Sequence, residues 1–357
     1  MKKVGRQVLF IDTENNPRNG EGSFIRLDDG SIMFGYTEFI GNSWDDDDDA
    51  RICAVISTDE GESWSKKSVL FTKPENTKNI MSLSFLRMNN GDIGAFYIVK
   101  NADSTDRIVL TRSADNGKSW SEPINCLACI EVADYYILNN DRVLKTKSGR
   151  IILPLARHTV LNGDDAFMPG DLCFVYSDDD GKTWIKTETE LLNPFNNNPD
   201  GYEEPGLYEL ADGRLWCYIR TNTGFQYESF SSDNGITWTK PEPNLFFSSP
   251  CSPMLVKDCG DITVAVFNPV PEHIMREEND LWGRTPYVMA VSKYKGKTFS
   301  RENLFYIEDD LNNGYCYPAV FDGGDYMLLA YYHSNNSGIC LNSTKMIKIM
   351  YDELNKN

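Results

Sequence analysis

Ser57-Thr58-Asp59-Glu60-Gly61-Glu62-Ser63-Trp64 closes an apolar run that begins at Ala50. Its pattern, Ser-x-Asp-x-Gly-x-x-Trp, recurs at Ser113 to Trp120, Ser177 to Trp184 and Ser231 to Trp238. A fifth copy, Ser292 to Phe299, keeps the serine, Gly296 and a terminal aromatic, but has Tyr294 where the aspartate belongs. The pattern has the chemistry of a hairpin turn. The carboxylate accepts backbone N–H groups, glycine supplies a positive φ, and tryptophan packs back on the sheet. These residues are therefore read as structural staples rather than catalysts.

A second repeat interleaves with the first. Six times, two alternating apolar runs meet at a short glycine turn: SFIRLDDGSIMFGY at Gly30, LSFLRMNNGDIGAFY at Gly91, RVLKTKSGRIILPLA at Gly149, GLYELADGRLWCYI at Gly213, PMLVKDCGDITVAVF at Gly260 and YPAVFDGGDYMLLAYY at Gly324. Each reads as a β-hairpin. The first five hairpins are each followed by one of the octapeptides, whose flanking strands complete a four-stranded antiparallel unit; the sixth has no box, and the six units make the expected fold an all-β, six-bladed β-propeller. After Gly324 only one further strand is visible, Lys345 to Tyr351, and Gln7 to Ile11 is expected to supply the missing strand and close the ring. No linker-like change of composition divides residues 1–357, which are read as a single domain.

Composition narrows the partners. The chain carries 35 basic and 53 acidic residues, a formal net charge of −18, which argues against nucleic acid and anionic membrane as partners. Val8-Leu9-Phe10-Ile11 is too short for a signal-peptide core, and no stretch is long and apolar enough to span a membrane, so a cytoplasmic location is expected. Nine cysteines in 357 residues, mostly inside apolar runs, read as reduced thiols. Cys126 and Cys129 form a CxxC with no second pair, and His158 and His333 lack a third ligand, so neither a metal nor a cofactor is expected. The five aspartates at 45 to 49 lack the spacing and central glycine of a calcium loop and read as a solvated loop.

Strand direction says where chemistry belongs. The six glycine turns share one face, so residues some seven to ten positions before and after them share the opposite rim. Reading backward gives Glu21, Ser82, Asp141 with Asn140 and Arg142, Glu204 with Glu203, Cys251 and Tyr317. Reading forward gives Glu38, Tyr97, His158, Arg220, Asn268 and His333. Hydrogen-bonding and charged side chains thus gather at one channel mouth. Arg142 and His158 suit a sugar hydroxyl, or simply pair with Asp141; Tyr317 has a second reading as a packed core aromatic, and Glu204 with Arg220 as a structural ion pair.

The repeated octapeptide at this hairpin spacing resembles the Asp boxes (BNR repeats) of the sialidase (neuraminidase) superfamily, over about Glu21 to Tyr332. In that family a glutamate precedes a strand-turn-strand that ends in an arginine, as Glu204 does before Arg220 here. The resemblance implies that Glu204 polarises the nucleophile, while Arg220 and Arg284, the latter in Trp282-Gly283-Arg284-Thr285-Pro286, clamp a substrate carboxylate. It further implies a tyrosine nucleophile at the start of the last blade, Tyr317 rather than Tyr315, and an acid/base aspartate in the loop before the first box, Asp45 or Asp46. One position departs from the pattern. The family's first clamp arginine counts to Gly20-Glu21, where there is none. Glu21 offers the opposite charge, and Arg18 stands three residues earlier as a substitute if the strand start is displaced.

The residue types fit the chemistry. A sugar bearing a carboxylate at its anomeric carbon would repel a carboxylate nucleophile, whereas a neutral phenol avoids that repulsion. With a pKa near about 10, the phenol needs an adjacent base. The activity expected from the resemblance is a retaining exo-glycosidase that releases a terminal sialic acid or related sugar from a glycoconjugate. A glycosidase of the same fold for another terminal sugar, favoured by Glu21, and a non-catalytic glycan-binding propeller remain the alternatives.

Overall fold

A computed structural model of the chain shows six antiparallel sheets arranged as propeller blades. The described residues are 1–355 apart from 103–104, 132–133, 162–165, 196–199, 249–251, 271–282 and 297. Cys251 and Trp282 therefore lie outside the described residues. The innermost strands are Arg18–Arg26, Thr77–Arg87, the split pair Tyr135–Ile137 and Leu144–Lys145, Glu203–Glu209, Leu255–Cys259 and Tyr315–Asp322. Each begins a sheet whose second strand follows across the glycine turn. The sixth blade contacts the first, which closes the ring.

The N-terminus does the closing. Arg6–Ile11 pairs antiparallel with Ser343–Met350 as the outer strand of blade six. Lys2–Lys3 continues past it and pairs in parallel with Leu304–Glu308, giving blade five a fifth strand that the repeat pattern does not foreshadow.

Each box is held as its residue types dictate. Ser57 Oγ donates to Asp59 Oδ1 and accepts from the Gly61 N–H, each at 2.8 Å, and Asp59 accepts from the Ser63 N–H at 2.8 Å. The same bonds recur at Ser113, Ser177 and Ser231. The tryptophan then fills the seam toward the preceding blade. Trp238 stacks on Phe174 at 4.4 Å, and Trp120 meets Phe71 and Phe85.

The hydroxyls of Ser63 and Ser119, then the backbone N–H groups beside them, pull the Asp59 and Asp115 carboxyls down to about 2. That lies below the ordinary aspartate value near about 3.9. The stability these carboxylates contribute is therefore complete above the unfolded value and is lost as pH falls through about 2 in the folded state. Acid titration followed by circular dichroism is expected to show a shallower loss of stability between those limits in an Asp59→Ala, Asp115→Ala variant than in the parent.

Four inner strands share one irregularity that positions the site. Each has an extra residue against its neighbour, between Gly20 and Ser23, Met81 and Ser84, Glu203 and Gly206, and Cys316 and Ala319. Inside these bulges Glu21, Ser82, Glu204 and Tyr317 have φ between 43° and 60°, and Asp141, at the break in the third inner strand, has φ 55°. A left-handed non-glycine backbone costs on the order of 1–3 kcal/mol and gathers at functional sites. Here it re-aims one side chain in each of five blades.

Candidate active site

Glu204 and Tyr317 meet. Tyr317 Oη donates to Glu204 Oε1 at 2.6 Å, across 113 positions of sequence. Arg220 Nη1 donates to Glu204 Oε2 at 2.5 Å, and Asn139 Nδ2 donates to Oε1 at 3.2 Å. The bulge turns Glu204 inward, and the register that pairs Glu203 with Arg220 brings the guanidinium beside it. A cavity of about 320 Å³ opens here, lined by Trp44, Asp45, Asp46, Asp200, Glu203, Arg220, Arg284, Tyr317 and Leu341.

Electrostatics divides the carboxyls. Burial works against the charge of Glu204, but Arg220 and the Tyr317 hydroxyl outweigh it and hold Glu204 below its usual range. Glu203 is pushed up to about 7, chiefly by burial and by the charges of Glu204 and Asp200, against the pull of Arg220 at 3.2 Å. Burial and the Glu204 charge raise the Tyr317 phenol well above its ordinary value. A resting phenolate is thus disfavoured.

Arg18 is not among the residues that line the cavity. Arg18, 1% exposed, starts the inner strand of blade one and bonds two residues of the cavity wall, Trp44 and Asp46. Its guanidinium donates to Asp46 at 2.5 Å, the Trp44 carbonyl at 3.0 Å and the Tyr332 hydroxyl at 2.7 Å, and pairs with Glu21. Gly20 leaves room for this arrangement, because a Cβ there would stand 2.1 Å from the Tyr332 ring. Glu21 is buried behind Arg18 and accepts from Ser82 Oγ at 2.5 Å. Burial opposes the Asp46 charge, yet Arg18 holds its carboxyl below the usual range. Arg284, 2% exposed, has its guanidinium carbon 5.7 Å from the Tyr317 ring centre and contacts Cys316 Sγ at 3.4 Å.

Other expectations need correction. The aspartate loop is not merely solvated. Besides Asp46, Asp47 pairs with Lys78 at 2.7 Å and with Lys100, and Asp48 accepts from the Ser43 N–H. Asp141 and Arg142 do not line this cavity. Asp141 accepts from Ser23 Oγ at 2.9 Å, Lys257 Nζ at 2.8 Å and the Val320 N–H at 3.2 Å, so it pairs with Lys257 rather than Arg142. Arg142 donates to the carbonyls of Met254 and Asn140. Both residues border a second hollow shared with Arg87, Lys145 and Asp258, near the glycine turns.

Asp141 thus ties blades one, five and six to the third. Its replacement by alanine is expected to cost about 2–4 kcal/mol, measurable as a lower midpoint in urea. An unchanged midpoint would mean that this axial contact is dispensable.

His158 is buried, with Nδ1 3.1 Å from the Met168 carbonyl, and is not part of the cavity lining. Of the forward-read positions only Arg220 reaches it. Glu38 pairs with Arg51 and Lys67, Tyr97 stacks on Phe71, and Asn268 donates to backbone carbonyls. Second strands lie one strand farther from the axis, which keeps most of their ends off the channel. Trp44, Asp200 and Leu341 escaped the sequence reading because they sit in loops that bear no fixed spacing to the turns.

Box-stapled blades with a tyrosine–glutamate–arginine cluster at the channel mouth define a sialidase-like propeller. The comparisons agree: the BNR repeat-like domain profile matches residues 35–331, and the chain belongs to that family. It is 25% identical to a sialidase of Bacteroides fragilis over 223 residues, 61% of this chain and 38% of the relative. It is 27% identical to an anhydrosialidase of Macrobdella decora over 151 residues, 41% of this chain and 18% of the relative. The matched stretch covers less than half the length of either relative. The crystal structure of the intramolecular trans-sialidase from Ruminococcus gnavus superposes with a TM-score of 0.74 over 98% of both chains at 14% identity, a likeness of fold.

Proposed function

We propose that the protein is a retaining exo-glycosidase that releases a terminal sialic acid or related sugar. The observation that carries this reading is the 2.6 Å bond from Tyr317 to Glu204 in the wall of the cavity. In the first step Tyr317 Oη bonds to the anomeric carbon and its proton passes to Glu204. The glycosidic C–O bond breaks with its electron pair on the leaving oxygen, which takes a proton from Asp46 or Asp45. In the second step water attacks the same carbon and gives its proton to that aspartate, and the departing tyrosine oxygen recovers its own from Glu204.

Asp46 must carry a proton to act first, and Arg18 holds it ionised in the resting site. A substrate carboxylate that draws Arg18 toward itself removes that restraint, so carboxylate binding and acid readiness would be coupled. The names of the two relatives, sialidase and anhydrosialidase, support the reading. A fluorogenic sialoside assay tests it: hydrolysis with retention at the anomeric carbon, seen by NMR of the first-formed product, is expected.

A second reading has its own observation. Arg18 and Arg220 are already matched by Glu21, Asp46, Glu203 and Glu204, which favours a terminal sugar without a carboxylate. Hydrolysis of neutral aryl glycosides, with none of the sialoside, would select that alternative.

A further inference from the structure

A cavity of about 620 Å³, larger than that at the channel mouth, lies in the seam between blades four and five. Two changes meet there. The residue three before each box serine is Ala54, Leu110, Phe174 and Met289 in blades one, two, three and five, but Glu228 in blade four. In blade three this position is Phe174, which stacks on Trp238, the box tryptophan of the next blade. In the seam where Glu228 replaces the apolar residue, the facing box is the degraded one, with Phe299 in place of tryptophan.

The strand register places Trp216, Glu228 and Phe230 on one face, and Phe246 and Phe299 join them around the hollow. Asn244 Nδ2 donates to Glu228 at 2.7 Å and orients the carboxyl. A carboxyl facing apolar rings is costly unless a charge of opposite sign answers it. Burial accordingly raises the Glu228 pKa. Aromatic faces attract cations, and the Arg214 guanidinium already sits 5.4 Å from the Phe230 ring centre at the rim. We propose that this seam is a second binding site, separate from the channel mouth, for a small organic cation: an amine or quaternary ammonium on an aromatic or alicyclic body.

Benzyltrimethylammonium is the probe, titrated into the full chain by calorimetry, with benzyl alcohol and benzoate as neutral and anionic controls. Saturable one-site binding is expected for the cation, weaker binding for the alcohol and none for benzoate. Glu228→Gln is expected to weaken the cation by about tenfold or more, a change of about 1.4 kcal/mol. Phe299→Trp, which restores the box indole and narrows the hollow, is expected to weaken binding; if it does not fold, Glu228→Leu takes its place. Absence of saturable cation binding overturns the proposal. So does affinity unchanged by these substitutions, which would place the cation elsewhere, for example at the acidic channel mouth.

Discussion

Tyr317→Phe is expected to lower kcat by about 10³-fold or more while leaving KM and the thermal midpoint close to the parent values. The substitution removes one oxygen. The ring keeps its edge contact with Tyr332, at 5.8 Å between centroids, and its place under Arg284, so packing survives. Glu204 loses one of its three hydrogen-bond donors but keeps Arg220 and Asn139. A loss of turnover without a loss of binding is the signature of a group that acts only as the bond forms. Hydrolysis at the parent rate would remove Tyr317 as nucleophile and turn the reading toward a different attacking group. Accumulation of a covalent adduct on Tyr317 with a slow-releasing fluorinated substrate, observed by mass spectrometry of the intact chain, is the complementary positive result.

Glu204→Gln should act through two effects that separate experimentally. The amide cannot take the Tyr317 proton, so activity is expected to fall by about 10²–10⁴-fold. It also removes the carboxylate 2.5 Å from Arg220 and leaves that buried guanidinium with Glu203 at 3.2 Å. Breaking a buried pair costs about 3–5 kcal/mol, and the remaining glutamate places this case near the lower end. Urea unfolding reads the second effect, and activity below the unfolding transition reads the first. Combined with Tyr317→Phe, the activity losses should be far from additive, because one proton transfer needs both groups. Simple multiplication of the two losses would show that tyrosine and glutamate act independently.

The two repeats made the architecture legible because each is a local device. A box needs only eight consecutive residues to satisfy its own turn, and a glycine hairpin about fourteen, so both leave their full pattern in the chain. The same spacing located Glu21, Ser82, Asp141, Glu204 and Tyr317, each seven to nine residues before its turn. Spacing alone did not say which of the five face the same hollow. The break in the third inner strand carries Asp141 to the Lys257 side, whereas the bulges in the fourth and sixth bring Glu204 and Tyr317 together. Arg18 illustrates the same limit. Counting from Gly30 reaches Gly20-Glu21, and nothing in the spacing records that Arg18 is the residue bonded to Asp46.

The sequence by itself determined the fold and the number of blades, because turns and strand alternation are satisfied within short segments. Only the tertiary structure decided which rim residues touch, that Arg18 is engaged by carboxylates, and that the seam facing the imperfect box holds a carboxyl among aromatic rings. Those outcomes depend on bulges that re-aim single side chains and on contacts between residues up to about three hundred positions apart, and a one-dimensional pattern does not record either.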